Sequence, residues 1–461
     1  MLQSDDQPNS PATAGPLFHG ARGLAVKVLT RIEQSDAYLD KLLENELASG
    51  DLNDADKRLL NELATGVLRW QARLDWVLTG FYHGEFSKCI PVVRNALRVA
   101  LYQILYLDRI PNSAAVNESV EIVKRLKGER SARIVNGVLR SIIRRINAIT
   151  YPERTEDVAR YLSIMYSHPL WLSRRWVAQL GEEQTQALME ANNRRPRIAL
   201  RVNRMRTTTE ELLSAFRERG INAAPSAFAE GVIVADTFPG IGRDPLFQAG
   251  MYTVQDEGAV LATRLAAVRP GMRVIDLCAA PGGKATAMAE DMNGTGEVIA
   301  VDKYEAKLRT VAAAAARLGL GDAIHPIVGD ARSLALEPAD VVLIDAPCSG
   351  LGVLAKKPDI KWKREPEDIE AMVPLQRALL ENGAQLVKPG GALIYSTCTI
   401  ERSENQEMVE SFLKDHPEFR LEPAAALLPA AVAGNGYLET FPHRHGMDGM
   451  FAARLVRREH E

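Results

Sequence analysis

The sequence predicts a multidomain protein: an all-α bundle, then a small α/β subdomain, then a C-terminal Rossmann-like α/β domain. Three observations predict it. The chain has 461 residues, more than one ordinary domain holds. Apolar residues recur at helical spacing over roughly 20–148, without strand-type alternation. From about residue 245, short apolar runs alternate with helical stretches, the pattern of a buried, mostly parallel sheet.

Taken in order, residues 1–20 are polar and rich in Pro, Ser and Asn, and are expected to form a disordered tail. Residues 21–150 are expected to form the bundle. Ala21, Leu24, Ala25, Val28, Leu29 and Ile32 mark one helix, and Leu97, Leu101, Ile104 and Leu105 a second. Ala115–Leu126 and Ile134–Ile146 mark two more. Tyr151-Pro152 breaks the periodicity. Residues 151–244 then read as a small α/β subdomain, with two helices over 158–193, a strand at Ile198–Val202, a helix from Glu210 to Arg219 stopped by Gly220, and a strand at Gly231–Val234. In 245–461 the strand candidates are Arg273–Leu277, Val298–Val301, Ile324–Val328, Val341–Ile344 and Ala392–Tyr395. A helix is expected over Tyr304–Leu318 and a late strand over Met450–Val456.

Composition narrows the function classes. Apolar and charged fractions of 46% and 25% are those of a globular protein. No apolar run approaches the roughly 18 residues needed to cross a bilayer, and the first residues lack the pattern of a secretory signal. The four cysteines, Cys89, Cys278, Cys348 and Cys398, are too few for a disulfide framework and too dispersed for a metal-binding pair. Reduced thiols in the cytoplasm are the simplest reading. Residues 120–220 carry twenty Lys/Arg against eleven Asp/Glu, in a chain of net charge −3. Arg194, Arg195, Arg197, Arg201, Arg204 and Arg206 follow one another with no acid among them. A basic segment in a mildly acidic protein points to a localised polyanion site, although an arginine run alone is more often a solvated face.

The turn after the first strand of the C-terminal domain is Cys278-Ala279-Ala280-Pro281-Gly282-Gly283-Lys284. Two glycines let a ligand approach the backbone, and the following helix offers its N-terminal amides. The turn matches neither the dinucleotide fingerprint nor the phosphate loop, so NAD and ATP are disfavoured. An adenosine cofactor without phosphates is favoured, and S-adenosylmethionine is the common one. Asp302 ends the second strand, where a carboxylate can accept both ribose hydroxyls. Asp330 follows the third, where it can accept from an adenine amino group. One acid at a strand end is usually a helix cap, but Asp276, Asp302 and Asp330 after three successive strands are harder to explain that way.

Cys348 and Cys398 each follow a strand and so fall at the carboxyl edge of the sheet, where ligands bind in such folds. Free cysteines are most often buried small hydrophobes, which is the expectation for Cys89. Cys278 is expected to lend only its backbone. Two thiols facing a methyl donor fit covalent catalysis on cytosine: a thiolate adds to C6, and C5 becomes nucleophilic enough to take a methyl group. Asp345 is placed to meet the N3/N4 edge of the ring. Lys284, Lys356 and Lys357 are candidate cations for lowering a thiol pKa. Spacing alone leaves open which cysteine attacks.

At these residues the chain resembles the RNA cytosine-5 methyltransferases. The resemblance is carried by Gln255–Ala259, Asp276–Ala285, Asp345–Val353, Lys357–Trp362, Tyr395–Ile400 and His445–Gly449. Pro111–Glu118 and Ile134–Arg140 resemble the NusB-type RNA-binding helical domain, and the combination is the layout of the Sun/Fmu-type ribosomal RNA methyltransferases. The resemblance implies S-adenosylmethionine as donor, 16S rRNA as substrate, either free or in a small-subunit assembly intermediate, and 5-methylcytosine as product. It implies Cys398 as nucleophile, Cys348 as the group that helps resolve the adduct, and cofactor contacts from Cys278 through Lys284 with Asp302, Asp330 and Asp345. A monomer with neither a DNA nor a membrane partner is expected. Met450 departs from the family by standing where an aromatic is usual. The competing readings are a methyltransferase acting on tRNA, 23S rRNA or DNA, the last with Pro347-Cys348 as its nucleophile motif, and a non-catalytic RNA-binding factor.

Overall fold

The computed structural model describes residues 18–48 and 52–459. The expected N-terminal tail lies outside these residues except for Phe18, His19 and Gly20, the last of which opens a helix. The chain divides into two compact units between Arg174 and Arg175.

The first unit is helical among its described residues. Its main helices are α1 (Gly20–Gln34), α2 (Leu39–Ala48), α3 (Asp54–Phe81), α4 (Pro91–Tyr106), α5 (Asn112–Arg144) and α6 (Val158–Met165). The apolar positions read from α1 are buried as a set. The two helical patterns at 115–126 and 134–146 merge into α5, which turns at Gly128, where φ is +78°. Helices α3 and α4 approach closely, because a Cβ at Gly66 would stand 2.1 Å from the Tyr102 ring. The buried Arg98 is held by both oxygens of Asp75, at 2.7 Å each, so its charge is compensated inside the bundle. The break at Tyr151-Pro152 is a turn within this unit. Trp76 Nε1 donates to Thr150 O (2.9 Å), and the Ala72 N–H donates to Ser167 Oγ (2.8 Å). Cys89 is buried here, and burial raises its thiol pKa.

Residues 158–193 hold three helices where two were expected. His168-Pro169 separates α6 from Leu170–Leu180, and Gly181, at φ +79°, separates that helix from Glu182–Asn193. A small antiparallel sheet follows, built from β1 (Ile198–Val202), β2 (Ala223–Pro225), β3 (Val232–Ala235) and β4 (Tyr252–Val254) in the order β2-β3-β1-β4. Strand β4 lies beyond residue 244, where the subdomain was expected to end. The helix Thr209–Glu218 starts with a capping box, Thr208 with Glu211, and covers the sheet through Leu212 and Phe216.

The large sheet contains β5 (Arg273–Asp276), β6 (Glu297–Asp302), β7 (Ile324–Val328), β8 (Ala339–Asp345), β9 (Val387–Thr397), β10 (Phe419–Glu422), β11 (Ala433–Gly434), β12 (Tyr437–Glu439) and β13 (Phe451–Arg457). Its order is β11-β12-β13-β9-β8-β5-β6-β7, with β10 on β13. Strands β5 to β9 pair in parallel, and β13 runs antiparallel to β9. Alternate residues face two cores. Val274, Val298 and Leu343 meet the helices Gly283–Asp291 and Glu305–Leu318, while Ile275, Ile299 and Val342 meet Pro366–Gln385 and Gln406–Asp415. The apolar runs of β5, β6, β8 and the second half of β9 are therefore buried on both faces, whereas the edge strand β7 is buried only at Ile324. Strand order reverses between β5 and β8, which opens a crevice at their carboxyl ends.

Candidate active site

Strand β5 delivers Asp276 to that crevice, and the turn 277–282 leads into the helix Gly283–Asp291. Gly282 is required twice over: its φ is +106°, and a Cβ would stand 3.1 Å from the Cα of Val311. Lys284, in the first turn of the helix, reaches Asp345 at the end of β8, with Nζ 2.6 Å from Oδ2. Ser396 Oγ donates to the other oxygen of Asp345 at 2.9 Å. Three adjacent segments thus fix one carboxylate.

The two cysteines meet. Cys348 Sγ and Cys398 Sγ are 3.3 Å apart, within hydrogen-bonding reach for sulfur. Their loops are tied together. The Gly352 N–H donates to Cys398 O (3.0 Å), the Gly449 N–H to Gly352 O (2.8 Å), and the Ala346 N–H to Ser396 O (2.8 Å). A Cβ at Gly352 would lie 2.1 Å from Gly449 O and 2.8 Å from Cys398 O, so the strands of backbone touch with nothing between them. Behind the loops the buried Glu404 accepts from the Ser349 N–H (2.8 Å) and from Gln376 Nε2 (2.9 Å).

The electrostatics of the two thiols differ. The hydrogen bond from Cys348 lowers the Cys398 pKa; Lys284 adds to this, while burial and Asp345 oppose it. The same hydrogen bond, with burial and the Glu404 carboxylate, raises the pKa of Cys348. Cys398 lines a cleft of 550 Å³ together with Asp276, Lys284, Asp345, Lys357 and Met450; Cys348 is not among its lining residues. Cys278, Ala280 and Asp345 line both this cleft and a neighbouring one of 560 Å³, whose other walls include Asp302, Tyr304, Asp330 and Ala331. Burial and the carboxylates of Asp276, Asp345 and Asp302 push the Cys278 thiol up. Burial, reinforced by Asp345, pushes Asp276 to about 7, and its Oδ2 is buried without a hydrogen-bond partner.

The residues singled out from the turn, Cys278 through Lys284, therefore gather with Asp302, Asp330, Asp345 and both cysteines at one sheet edge. Asp330 comes with a qualification of geometry: Arg332 Nε and Nη2 hold its two oxygens at 2.9 and 2.5 Å. An incoming amino group has to share or displace that guanidinium. Lys356 is also differently placed than a thiol-activating cation requires, because its Nζ sits 2.5 Å from Asp256 and 2.8 Å from Asp448. Sequence reasoning assigned no role to these two acids, although both lie in motifs it had marked. Burial and the Asp256 charge push Asp448 to about 7. Arg201 was also misplaced by its type. Far from being a surface cation, it is buried, donating to Gln255 Oε1 (2.5 Å), Gly283 O (2.8 Å) and Thr286 Oγ1 (3.1 Å) beside Glu290.

Parallel sheet, glycine turn and paired thiols place this molecule among the methyltransferases, and comparison with known proteins agrees. Residues 263–456 match the family described as 16S rRNA methyltransferase RsmB/F, residues 19–144 match the NusB family, and residues 168–239 match the ferredoxin-like domain of RsmF/B-like methyltransferases. The probable ribosomal RNA small subunit methyltransferase B of Bacillus subtilis is 37% identical over 94% of this chain and 98% of its own. The ribosomal RNA small subunit methyltransferase B of Yersinia pseudotuberculosis is 33% identical over 95% and 99%. A solved structure, PH0851, superposes over 94% of this chain and 98% of its own, with a TM-score of 0.78 and 27% identity. The chain belongs to the RsmB/F family of methyltransferases, of the Sun type that carries a NusB domain.

Proposed function

We propose that this protein transfers a methyl group from S-adenosylmethionine to C5 of a cytosine in 16S rRNA, through a covalent adduct between Cys398 and C6. The observation that carries this reading is the Cys348–Cys398 pair, 3.3 Å apart, with Lys284 and Asp345 beside it. The names of the curated relatives support small-subunit rRNA as the substrate.

The residues present suit the donor. Carboxylates at Asp302 and Asp330 line the adjoining cleft with Cys278 and Ala280; Ala279, Pro281, Gly283 and Lys284 line the thiol cleft beside it, and the unpartnered Oδ2 of Asp276 offers one more acceptor. When bound, S-adenosylmethionine supplies an electrophilic methyl group. The chain's own part is to bind the base and move charge. Cys398, held towards the thiolate by Cys348 and Lys284, adds to C6, and Asp345 hydrogen-bonds the N3/N4 edge as the ring accepts electrons. After methylation solvent water in the cleft takes the C5 proton, the C–H electron pair reforms the C5–C6 double bond, the C6–S bond breaks, and Cys398 departs as a thiolate to which Cys348 again offers its S–H. The base reaches the cleft by unstacking from its RNA. Attack by Cys348, the DNA-enzyme pattern, is opposed by its raised pKa and by its absence from the cleft wall.

Denaturing gels of purified variants with unmodified 16S rRNA test the assignment. C398A forms no protein–RNA adduct, whereas C348A accumulates one. The reverse pattern would sink the proposed roles. Bisulfite mapping of the product locates the cytosine.

A further inference from the structure

The six arginines between 194 and 206 do not act as one patch. Arg201 is buried against the helix Gly283–Asp291. Arg204 is exposed but pairs with Asp291, and Arg206 donates to the backbone carbonyls of Ala249 and Arg317. These three hold structure together. Arg194 and Arg195 are exposed and make no side-chain hydrogen bond or ion pair among the described residues, and Arg197 has only the Gly446 carbonyl (3.1 Å). All three line a third cleft, of 320 Å³, with Pro196, Pro442 and Met447 on its walls. That cleft is a continuation of the thiol cleft: Arg197, Asp256, Lys356 and Asp448 line both.

We infer that this cleft receives the nucleotide next to the target cytosine, with Arg194, Arg195 and Arg197 binding the flanking phosphodiesters. Three guanidiniums with little internal use are matched to an anion, and phosphate oxygens are the forked acceptors that arginine fits. The volume suits one nucleotide rather than a duplex. The carboxylates on its floor do not argue against an anion at the mouth, because Lys356 sits between two of them and the third, Glu257, accepts a hydrogen bond from Ser226 Oγ. A base turned into the thiol cleft leaves its own phosphates at the rim, so the distance between chemistry and anchor is one nucleotide. This anchor orients the strand and carries no base identity.

The inference rests on the RNA reading, and the experiment separates the two. RNA binding by full-length wild type is measured with unmodified 16S rRNA as a function of salt, beside R194A/R195A, R194K/R195K and an exposed control of equal charge change, R309A/R420A. Methylation kinetics are recorded for each protein. R194A/R195A raises KM for RNA roughly tenfold or more while KM for S-adenosylmethionine stays within about twofold. Its salt slope falls by about 1.4, at about 0.7 for each lost single-strand phosphate contact. R194K/R195K keeps most of the slope. A slope and KM for R194A/R195A equal to those of R309A/R420A would overturn the anchor while leaving the RNA reading intact. Absence of RNA binding and methylation in wild type would overturn both.

Discussion

Two lysines stand in the same cleft and do opposite things. Lys284 has Asp345 at 2.6 Å and its positive field reaches Cys398, so it is a charge that a thiolate can use. Lys356 has Asp256 at 2.5 Å and Asp448 at 2.8 Å, and its charge is already spoken for. The difference is one carboxylate. A buried lysine with one acid forms a neutral pair that can still polarise a third group. With two acids it becomes a clasp joining the segment before β5, the loop after β8 and the turn before β13. Nearness to a cysteine along the sequence does not distinguish the two cases; the number of acids the fold brings to each ammonium does.

Substitutions can break this comparison. The largest effect is expected for K284M. Loss of the cation raises the Cys398 pKa, because Lys284 favours the thiolate. We expect kcat at neutral pH to fall about 10³-fold, equivalent to about 4 kcal/mol, with part of the loss recovered as pH rises. A pH–rate profile that keeps its wild-type shape would contradict the role given to Lys284. K356M should act on stability instead. It strands the buried Asp448 and the partly buried Asp256, at a cost of about 3 kcal/mol, read as a lower denaturant midpoint. An unchanged midpoint would mean that the clasp contributes nothing.

D448N sharpens the contrast through pH. The Asp448 carboxyl titrates at about 7 in the folded chain, above its ordinary value of 3.8. The folded state therefore holds the proton more tightly, and this group's contribution is fully present below the unfolded pKa and lost as pH rises towards 7. Asp276, also at about 7, has the same sign. D448N should narrow the fall in Tm between pH 5 and pH 8 without abolishing it; a fall as large as wild type would remove Asp448 from the account. The smallest effect is expected for S396A, which takes one hydrogen bond from Asp345. A loss of about 1 kcal/mol, or about fivefold in kcat/KM, is expected. A loss as large as that of K284M would make Ser396 more than a support.

Much of the fold was legible because its signals are local. Strands β5, β6 and β8 and the second half of β9 are apolar runs buried on both faces, and Gly220 and Gly282 mark stops and turns by their own backbone demands. The strands that escaped notice are short: β2, β4, β10, β11 and β12 have two to four residues each, and only pairing with their partners makes them strands. In the helix Pro366–Gln385 an internal Pro374 hides the pattern. The site divides in the same way. Cys278 through Lys284 and the two cysteine loops are contiguous motifs. The clasp joins residues about a hundred positions apart or nearly so, so its pairing is a product of topology. Arg201 did leave a trace: it interrupts an apolar strand, Ile198–Val202, where a surface arginine does not belong.

The meeting of Gly352, Gly449 and the Cys398 carbonyl has a consequence for heredity and transplantation. In a saturation library selected for activity, positions 352 and 449 should return glycine alone, although neither contributes a side chain to the reaction. A designer moving the cysteine pair to another scaffold must carry three chain segments, since two loops without the third would leave the sulfurs free to drift apart.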